Sequence, residues 1–222
     1  GAKTISLYYP QEKVSEEFGK YIDEIKKYDF FIINNQLALD IHPNTIAWVH
    51  ADYFSFCTPP EIESWLNFTK SPNVKYIVFV SEPLKDSFLS KSYIPKEKVK
   101  VIPNWIEHIE KSPKPYSENF RVAWVGTLKQ DKDWQELSQA LKGTDIDVDF
   151  LGDGQDLIFA RELKEMKPNL FGHQNFLGFV DDPISYMKEH SSVFVFTSKA
   201  KHEAMPLSLV EAMSVGIPCI AY

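Results

Sequence analysis

The chain has 222 residues, 44% of them hydrophobic, and its formal net charge of −7 is spread over both halves. This size and composition are typical of a globular protein with one large or two small α/β domains, and the lack of a basic half argues against nucleic acid as a partner. No apolar run reaches the roughly 18 to 20 residues of a bilayer span, and the first residues lack the order of a signal peptide.

The first half of the chain alternates strand-like and helix-like segments. Strands are predicted over residues 4–8, 29–33, 45–49, 74–80 and 99–102. Helices are predicted over residues 15–27, after Pro60, and over 83–91. Such alternation predicts βαβ units and a parallel sheet.

The alternation resumes after a polar stretch that contains two prolines and shows no apolar period. This polar stretch predicts a linker over residues 108–120 between a first domain, 1–107, and a second domain, 121–222. In the second domain strands are predicted over 121–125, 147–151, 175–178, 193–197 and 218–221, and helices over 133–142, 155–166, 182–190 and 206–215.

Two glutamates eight residues apart bracket the start of the last helix. Pro206 suits a first helical turn, Gly216 suits a helix end, and a β-branched and aromatic strand precedes the segment, so Glu203 is expected in a strand-to-helix loop and Glu211 within the helix. First-turn N–H groups attract anions, and carboxylates accept hydrogen bonds from vicinal hydroxyls. A nucleotide sugar would fit this layout, although such a pair can equally be solvated surface charge.

The wording around the two glutamates is more specific than their spacing. The segment EAMPLSLVEAMSVGIP, residues 203–218, resembles the signature of the retaining glycosyltransferases called group 1 or family 4, which have the GT-B fold. Three upstream segments follow the same order as in that family: VAWVGTLKQDK at 122–132, LGDG at 151–154 and NFLGFV at 175–180. The four landmarks together identify the chain as a suspected member.

The resemblance implies an α/β fold with two Rossmann-like domains, both of them incomplete here. The family's glycine-rich first loop and its closing C-terminal helices are not recognised in the sequence, so a central fragment of a longer enzyme is expected. The family's reaction retains the anomeric configuration and generally needs no metal. Neither a cofactor nor a metal site is therefore expected, and the donor would be a UDP- or GDP-linked sugar.

The resemblance also assigns roles to individual residues. Catalytic roles fall to Glu203, which would fix the donor sugar, and to His50, which follows the strand at 45–49. A histidine there is equally compatible with a structural hydrogen bond. The nucleotide sugar would be held by Gly126, Lys132, Phe179, Val180, Pro206, Leu207, Ser208 and Glu211.

Some of these assignments depart from the family pattern or have a simpler alternative. The phenyl ring of Phe179 is expected to be core, with main-chain groups beside the nucleotide base. Thr127 stands where the family usually has arginine, which leaves the diphosphate to Lys132 with Lys129 as a substitute, and Trp105 replaces a glycine of the family's domain junction. These departures keep open a non-catalytic nucleotide-sugar-binding or scaffold module.

Partners and location follow from the same resemblance and from the cysteines. A glycan or lipid-linked acceptor is expected, with peripheral membrane association as an option. Cys57 and Cys219 show no metal-type spacing and no disulfide framework. They favour a reducing compartment, which predicts a cytoplasmic protein, including the inner face of the membrane.

Overall fold

The computed structural model describes residues 19–34, 38–106, 120–199 and 203–221. The chain divides into two compact units, Gly1–Pro103 and Asn104–Tyr222, which we call unit 1 and unit 2. The predicted strand at 4–8, residues 15–18 of the predicted helix at 15–27 and all of the predicted linker except Phe120 lie outside the described residues. In the described part of the predicted helix, the structure has the short helix Ile22–Ile25.

The described residues of unit 1 form a parallel sheet of four strands in the order β1-β2-β3-β4. The strands are β1 Phe31–Asn34, β2 Thr45–Val49, β3 Val74–Phe79 and β4 Val99–Val101. The helices are α1 Ile22–Ile25, α2 Pro59–Lys70 and α3 Glu82–Lys91. A capping box between Thr58 and Glu61 begins α2, and the Ser81 hydroxyl caps α3.

In the part of unit 2 that the structure describes, five strands form a parallel sheet in the order β7-β6-β5-β8-β9. The strands are β5 Arg121–Val125, β6 Asp147–Leu151, β7 Gln174–Gly178, β8 Val193–Phe196 and β9 Cys219–Ala221. The helices are α4 Trp134–Ala140, α5 Leu157–Met166, α6 Pro168–Phe171, α7 Pro183–His190 and α8 Leu207–Ser214. None of the described helices in either unit has the length and apolar composition needed to cross a bilayer.

Both faces of the unit 2 sheet are covered, because alternate residues of β5 enter two separate cores. On one face Trp124 packs with Trp134, Phe150 and Phe176. On the other face Ala123 packs with a second cluster, which comprises Leu151, Met187, Phe194, Ala212, Val215 and Ile217. A central strand buried on both sides explains why the β5 sequence reads as a continuous apolar run.

The expected fold of two Rossmann-like α/β domains is confirmed, and most predicted elements agree with the structure to within two residues at each end. The short helix α6 was not predicted, because four residues that begin with Pro168 carry no helical period. Cys219 lies in the predicted strand, but β9 is at the edge of the described sheet and the thiol is only partly buried.

A buried charge cluster ties the amino-terminal part of the unit 2 sheet together. The carboxylate of Asp149 is almost fully buried. Its two oxygens each accept a hydrogen bond from Nη1 of Arg121, at 2.8 and 2.9 Å. It also accepts hydrogen bonds from Asn175 Nδ2 and the Tyr186 hydroxyl, each at 2.8 Å. Burial and the bond to Asp149 raise the pKa of Tyr186 to about 12. Asp149 thus joins β5, β6, β7 and α7.

Replacing Asp149 with alanine should strongly destabilise unit 2. The change leaves the Arg121 guanidinium without its bidentate partner, and loss of one member of a buried ion pair costs about 3 kcal/mol. Urea unfolding followed by circular dichroism measures the loss. Asp145→Ala, which removes a fully exposed carboxylate nearby, should stay within about 0.5 kcal/mol of the wild type. Equal effects of the two changes would contradict the structural role of Asp149.

Candidate functional site

The strand order of unit 2 places a crevice at the carboxyl ends of β5 and β8. The chain proceeds from β5 to β6 and β7 on one side, while β8 and β9 pair on the other side. In open parallel sheets, ligands bind at such a reversal of strand order. The loops that follow β5 and β8 therefore form the candidate site.

A pocket of about 190 Å³ lies at this crevice. Its lining residues come from the end of β5, the loop after it, the end of β8 and the start of α8: Trp124, Val125, Gly126, Thr127, Lys132, Phe196, Ser198, Glu203 and Ser208. We call it pocket A. It brings together four of the residues that the sequence singled out, Gly126, Lys132, Glu203 and Ser208.

Lys132 and Glu203 form an ion pair in pocket A, with Nζ donating to Oε1. Both side chains are about three-quarters buried, at 24% and 23% exposure. The sequence had assigned Lys132 to a diphosphate and Glu203 to a sugar, and did not predict that they contact each other. Partial burial reduces solvent screening of the pair.

The start of α8 contributes main-chain donors next to this pair. Pro206 stands at the N-cap, and no side chain caps the helix. The N–H groups of Leu207, Ser208 and Leu209 have no acceptor in the described part of the chain. First-turn N–H groups together with the helix dipole favour an anion at this position. The predicted helix at 206–215 agrees with the observed α8.

Glu211 lies one turn further along α8, near Ser208 on the same face of the helix. Its side chain is partly buried and has no hydrogen-bonding or ionic partner among the described residues. Burial raises the pKa of the Glu211 carboxyl. A half-buried carboxylate without a partner is costly to the fold, and such groups occur most often at functional sites.

A second pocket, of about 360 Å³, adjoins pocket A and shares Val125, Gly126 and Thr127 with it. We call it pocket B. Its remaining lining residues come from the loops after β6 and β7 and from the start of α7: Leu151, Gly152, Asp153, Phe179, Val180 and Pro183. Phe179 and Val180, which the sequence placed beside a nucleotide base, thus lie in a pocket next to the charged one.

The interpretation of the Phe179 side chain as core is wrong. The ring is 76% exposed. The physical reason is the preceding turn: Gly178 has a φ of +82°, which takes the chain out of β7, so that Phe179 no longer follows the alternation of the strand. The ring is available to a ligand in pocket B.

Asn104 fixes the loop that carries Glu203. Its side-chain Nδ2 donates to the carbonyl of Met205 at 2.8 Å, and its main-chain N–H points to the Met205 sulfur at 3.2 Å. The adjoining Trp105 is 76% exposed. Lys129, the expected substitute at the diphosphate, pairs with Asp131 at 2.8 Å and does not line pocket A.

His50 lies in unit 1, directly after β2. Its Nε2 donates to Oδ1 of Asn34, and its ring stacks on Trp48 at a centroid distance of 6.4 Å. Burial lowers the pKa of His50, which favours the neutral imidazole near pH 7. These contacts are compatible with the structural alternative as well as with catalysis, so the catalytic role of His50 stays a prediction.

Comparison with protein families gives one match. The family model described as glycosyl transferases group 1 matches residues 106–222, which include every residue of pockets A and B. No curated protein matches the sequence significantly. In the part of the chain that the structure describes, no group of three or more histidine, cysteine, aspartate or glutamate side chains could hold a metal ion.

Several solved structures have a similar fold. HepE of Anabaena, in complex with UDP-glucose, is 21% identical with a TM-score of 0.76, and the match covers 96% of this chain and 65% of HepE. A variant of S. aureus TarM, in complex with fondaparinux, alpha-GlcNAc-glycerol and UDP, is 17% identical with a TM-score of 0.67, covering 82% of this chain and 37% of TarM.

The pneumococcal O-GlcNAc transferase GtfA, in complex with UDP and GlcNAc, is 16% identical with a TM-score of 0.67, covering 97% of this chain and 46% of GtfA. Identities this low show a common fold. The chain spans less than two thirds of the length of each of these three proteins.

Gly152→Ala should distort both pockets and destabilise unit 2. A Cβ at Gly152 would lie 1.8 Å from the carbonyl oxygen of Gly126, which lines both pockets, so the backbone has to move. We expect a loss of about 3 kcal/mol or more in urea unfolding. Gly143→Ala is the matched control, because Gly143 also has a positive φ but its Cβ would meet only Leu170, at 3.9 Å. Equal losses would contradict the close approach.

Glu211→Gln should raise the thermal stability of unit 2 at neutral pH. The folded-state pKa of Glu211 is raised, so the native state is disfavoured once the carboxyl ionises, and the neutral amide removes that penalty. Thermal unfolding from pH 4 to pH 8 should show the gain only at the higher pH values. A variant that is less stable than the wild type at pH 7 would contradict this expectation.

Proposed function

Because the chain belongs to the glycosyl transferases group 1 family, we propose that it is part of a retaining glycosyltransferase. Unit 2 would bind the nucleotide-sugar donor, a UDP- or GDP-linked sugar. The single observation that carries the proposal is the pairing of Lys132 with Glu203 in pocket A, directly before the uncapped start of α8. A cation, a carboxylate and free N–H groups converge there within one pocket.

The diphosphate of the donor would lie between Lys132 and the first turn of α8. The ammonium and the N–H groups of Leu207 to Leu209 both favour an anion, and a diphosphate is large enough to contact both. To contact Lys132 the diphosphate must replace the carboxylate of Glu203. Glu203 is thereby released to accept hydrogen bonds from sugar hydroxyls.

The nucleoside would extend from pocket A into pocket B. The two pockets share the Val125 to Thr127 segment, so a ligand that bridges them passes over Gly126. Phe179 offers an exposed ring, and the main chain at Val180 offers polar groups that can recognise a base. Glu211, one turn into α8, would accept the hydroxyls of the ribose.

In the proposed reaction the bond from the anomeric carbon to the phosphate oxygen breaks, and its electron pair stays on the diphosphate. The acceptor oxygen attacks from the same face, and its proton passes to the leaving phosphate oxygen, so the configuration is retained. Lys132 and the start of α8 stabilise the negative charge that develops on the diphosphate. His50, whose lowered pKa favours the neutral imidazole, stays a proposed catalytic residue.

For the whole enzyme we propose a glycan or lipid-linked acceptor and a role in cell-surface polysaccharide synthesis. Transfer would take place in the cytoplasm, at the inner face of the membrane, where activated sugars and lipid carriers meet. The two free thiols, Cys57 and Cys219, fit a reducing compartment.

Glu203→Gln should lower kcat by about 100-fold with the preferred UDP- or GDP-sugar donor, because an amide cannot replace the charged acceptor at the sugar. Glu211→Gln should instead raise KM for that donor. Release of UDP or GDP in the presence of a panel of donors and acceptors measures both constants. Glu165→Gln, on the exposed side of α5, is the control and should leave them unchanged.

The outcomes separate the proposal from its alternative. Donor binding without turnover, in the full-length protein supplied with acceptors, would favour a non-catalytic nucleotide-sugar-binding or scaffold module. That alternative is favoured by Thr127, which stands in pocket A where a second cation was expected. Absence of both binding and turnover with every donor would contradict the proposed function itself.

A further inference from the structure

A buried hydrogen-bond relay connects the two strands that form the crevice to the main chain of Lys132. The indole Nε1 of Trp124 donates to the hydroxyl of Thr197 at 2.8 Å. That hydroxyl in turn donates to the carbonyl of Lys132, also at 2.8 Å. Trp124 and Thr197 are 2% and 3% exposed, so the bond between them is shielded from bulk water.

The relay uses the full donor capacity of the Thr197 hydroxyl. A threonine hydroxyl has one hydrogen to donate, and here that hydrogen is directed to Lys132 while an oxygen lone pair accepts from Trp124. Without the hydroxyl, both the buried indole N–H and the Lys132 carbonyl lose these partners. An orphaned buried polar group is costly, so the turn that contains Lys132 would be expected to shift.

The same segment after β8 holds the turn at a second point. Lys132 ends a short 3₁₀ turn, Gln130–Lys132, and Asp133 follows it with a φ of +52°, which is unusual for a residue other than glycine. The ammonium of Lys199 lies 3.5 Å from Asp133 Oδ1 and 3.4 Å from Glu136 Oε1. Thr197 and Lys199 therefore contact the turn at and directly after Lys132.

We infer that Thr197 is a positioning residue, whose buried hydroxyl fixes the backbone of Lys132 so that its ammonium faces Glu203 and the start of α8 in pocket A. The inference rests on the proposed function, because it gives Thr197 a role in diphosphate binding through Lys132. Thr197 does not itself line pocket A. Its effect on a ligand is exerted through the position of one cation.

The test is a double-mutant cycle between Thr197 and Lys132, read by calorimetric titration of the 222-residue chain with UDP. Thr197→Val keeps the shape but removes the hydroxyl, and it should weaken UDP binding by about fivefold, comparable to one net hydrogen bond. In a Lys132→Ala background the same change should alter the affinity by less than about twofold, because the cation that it positions is absent. Thr197→Ser keeps the hydroxyl and should restore the wild-type affinity.

A matched control separates positioning from general destabilisation. Ser138 is also buried, and its hydroxyl donates to Gln174 at 2.7 Å in the same unit but away from the pockets. Ser138→Ala should lower the thermal midpoint as Thr197→Val does, yet leave UDP binding unchanged. Additive effects of Thr197→Val and Lys132→Ala, or an equal loss of affinity in Ser138→Ala, would overturn the inference.

A second measurement does not depend on nucleotide binding. The rate at which an amine-acylating reagent modifies Lys132, followed by peptide mass spectrometry, should rise at least about threefold in Thr197→Val, because the ion pair with Glu203 opens more often. It should not rise in Thr197→Ser or Ser138→Ala. If the wild type binds neither UDP nor GDP, the proposed function fails while this rate still decides the inference. An unchanged rate would overturn it.

Discussion

The parallel pairing of β5 with β8 is the constraint on which the candidate site depends. This pairing makes β5 the central strand, with two residues in register, Val122 with Val193 and Ala123 with Phe194. Beyond these two residue pairs the strands β5 and β8 are no longer paired, and the loops that follow them face each other at the edge of the sheet. The charged pair and pocket A lie in the loops that follow these two strands, beside the uncapped start of α8.

Unit 2 has stabilised polar groups at one end of its sheet and unsatisfied polar groups at the other. The Arg121 and Asp149 cluster at the opposite end of the sheet satisfies each of its charges with short contacts. At the carboxyl end, by contrast, Glu211 is partly buried without a described partner and the first N–H groups of α8 are open. Glu211 and the first N–H groups of α8 are thus unsatisfied polar groups at an edge where a ligand can satisfy them, as expected for a binding site.

Much of the fold and several site residues could be predicted from the sequence. Strand β5 was predicted at its observed bounds because β-branched and aromatic residues between polar neighbours mark it clearly. Glu203 and Glu211 were assigned correctly to a loop and a helix because Pro206 and Gly216 mark the helix ends. These signals are local, so they survive in a single sequence.

The contacts that complete the site could not be predicted, because they join residues far apart in the chain. Lys132 and Glu203 are 71 positions apart, and Asn104 and Met205 are 101 positions apart. No sequence periodicity connects such pairs. The exposed ring of Phe179 was mistaken for core because composition alone does not show that Gly178 ends the strand with a positive φ. The exposure of the Phe179 ring is set by its position after the end of the strand, which residue type does not reveal.

The ion pair between Lys132 and Glu203 has a consequence for selectivity in a cell rich in phosphate. An unpaired lysine at a helix start would attract any small anion, whereas here the carboxylate of Glu203 pairs with the ammonium of Lys132. An anion gains access to the ammonium only if it compensates for the displaced carboxylate. Inorganic phosphate would offer the carboxylate nothing in return, while the sugar of the proposed donor would offer hydroxyls that bind it. Under the proposed function the ion pair would therefore disfavour small anions that carry no sugar.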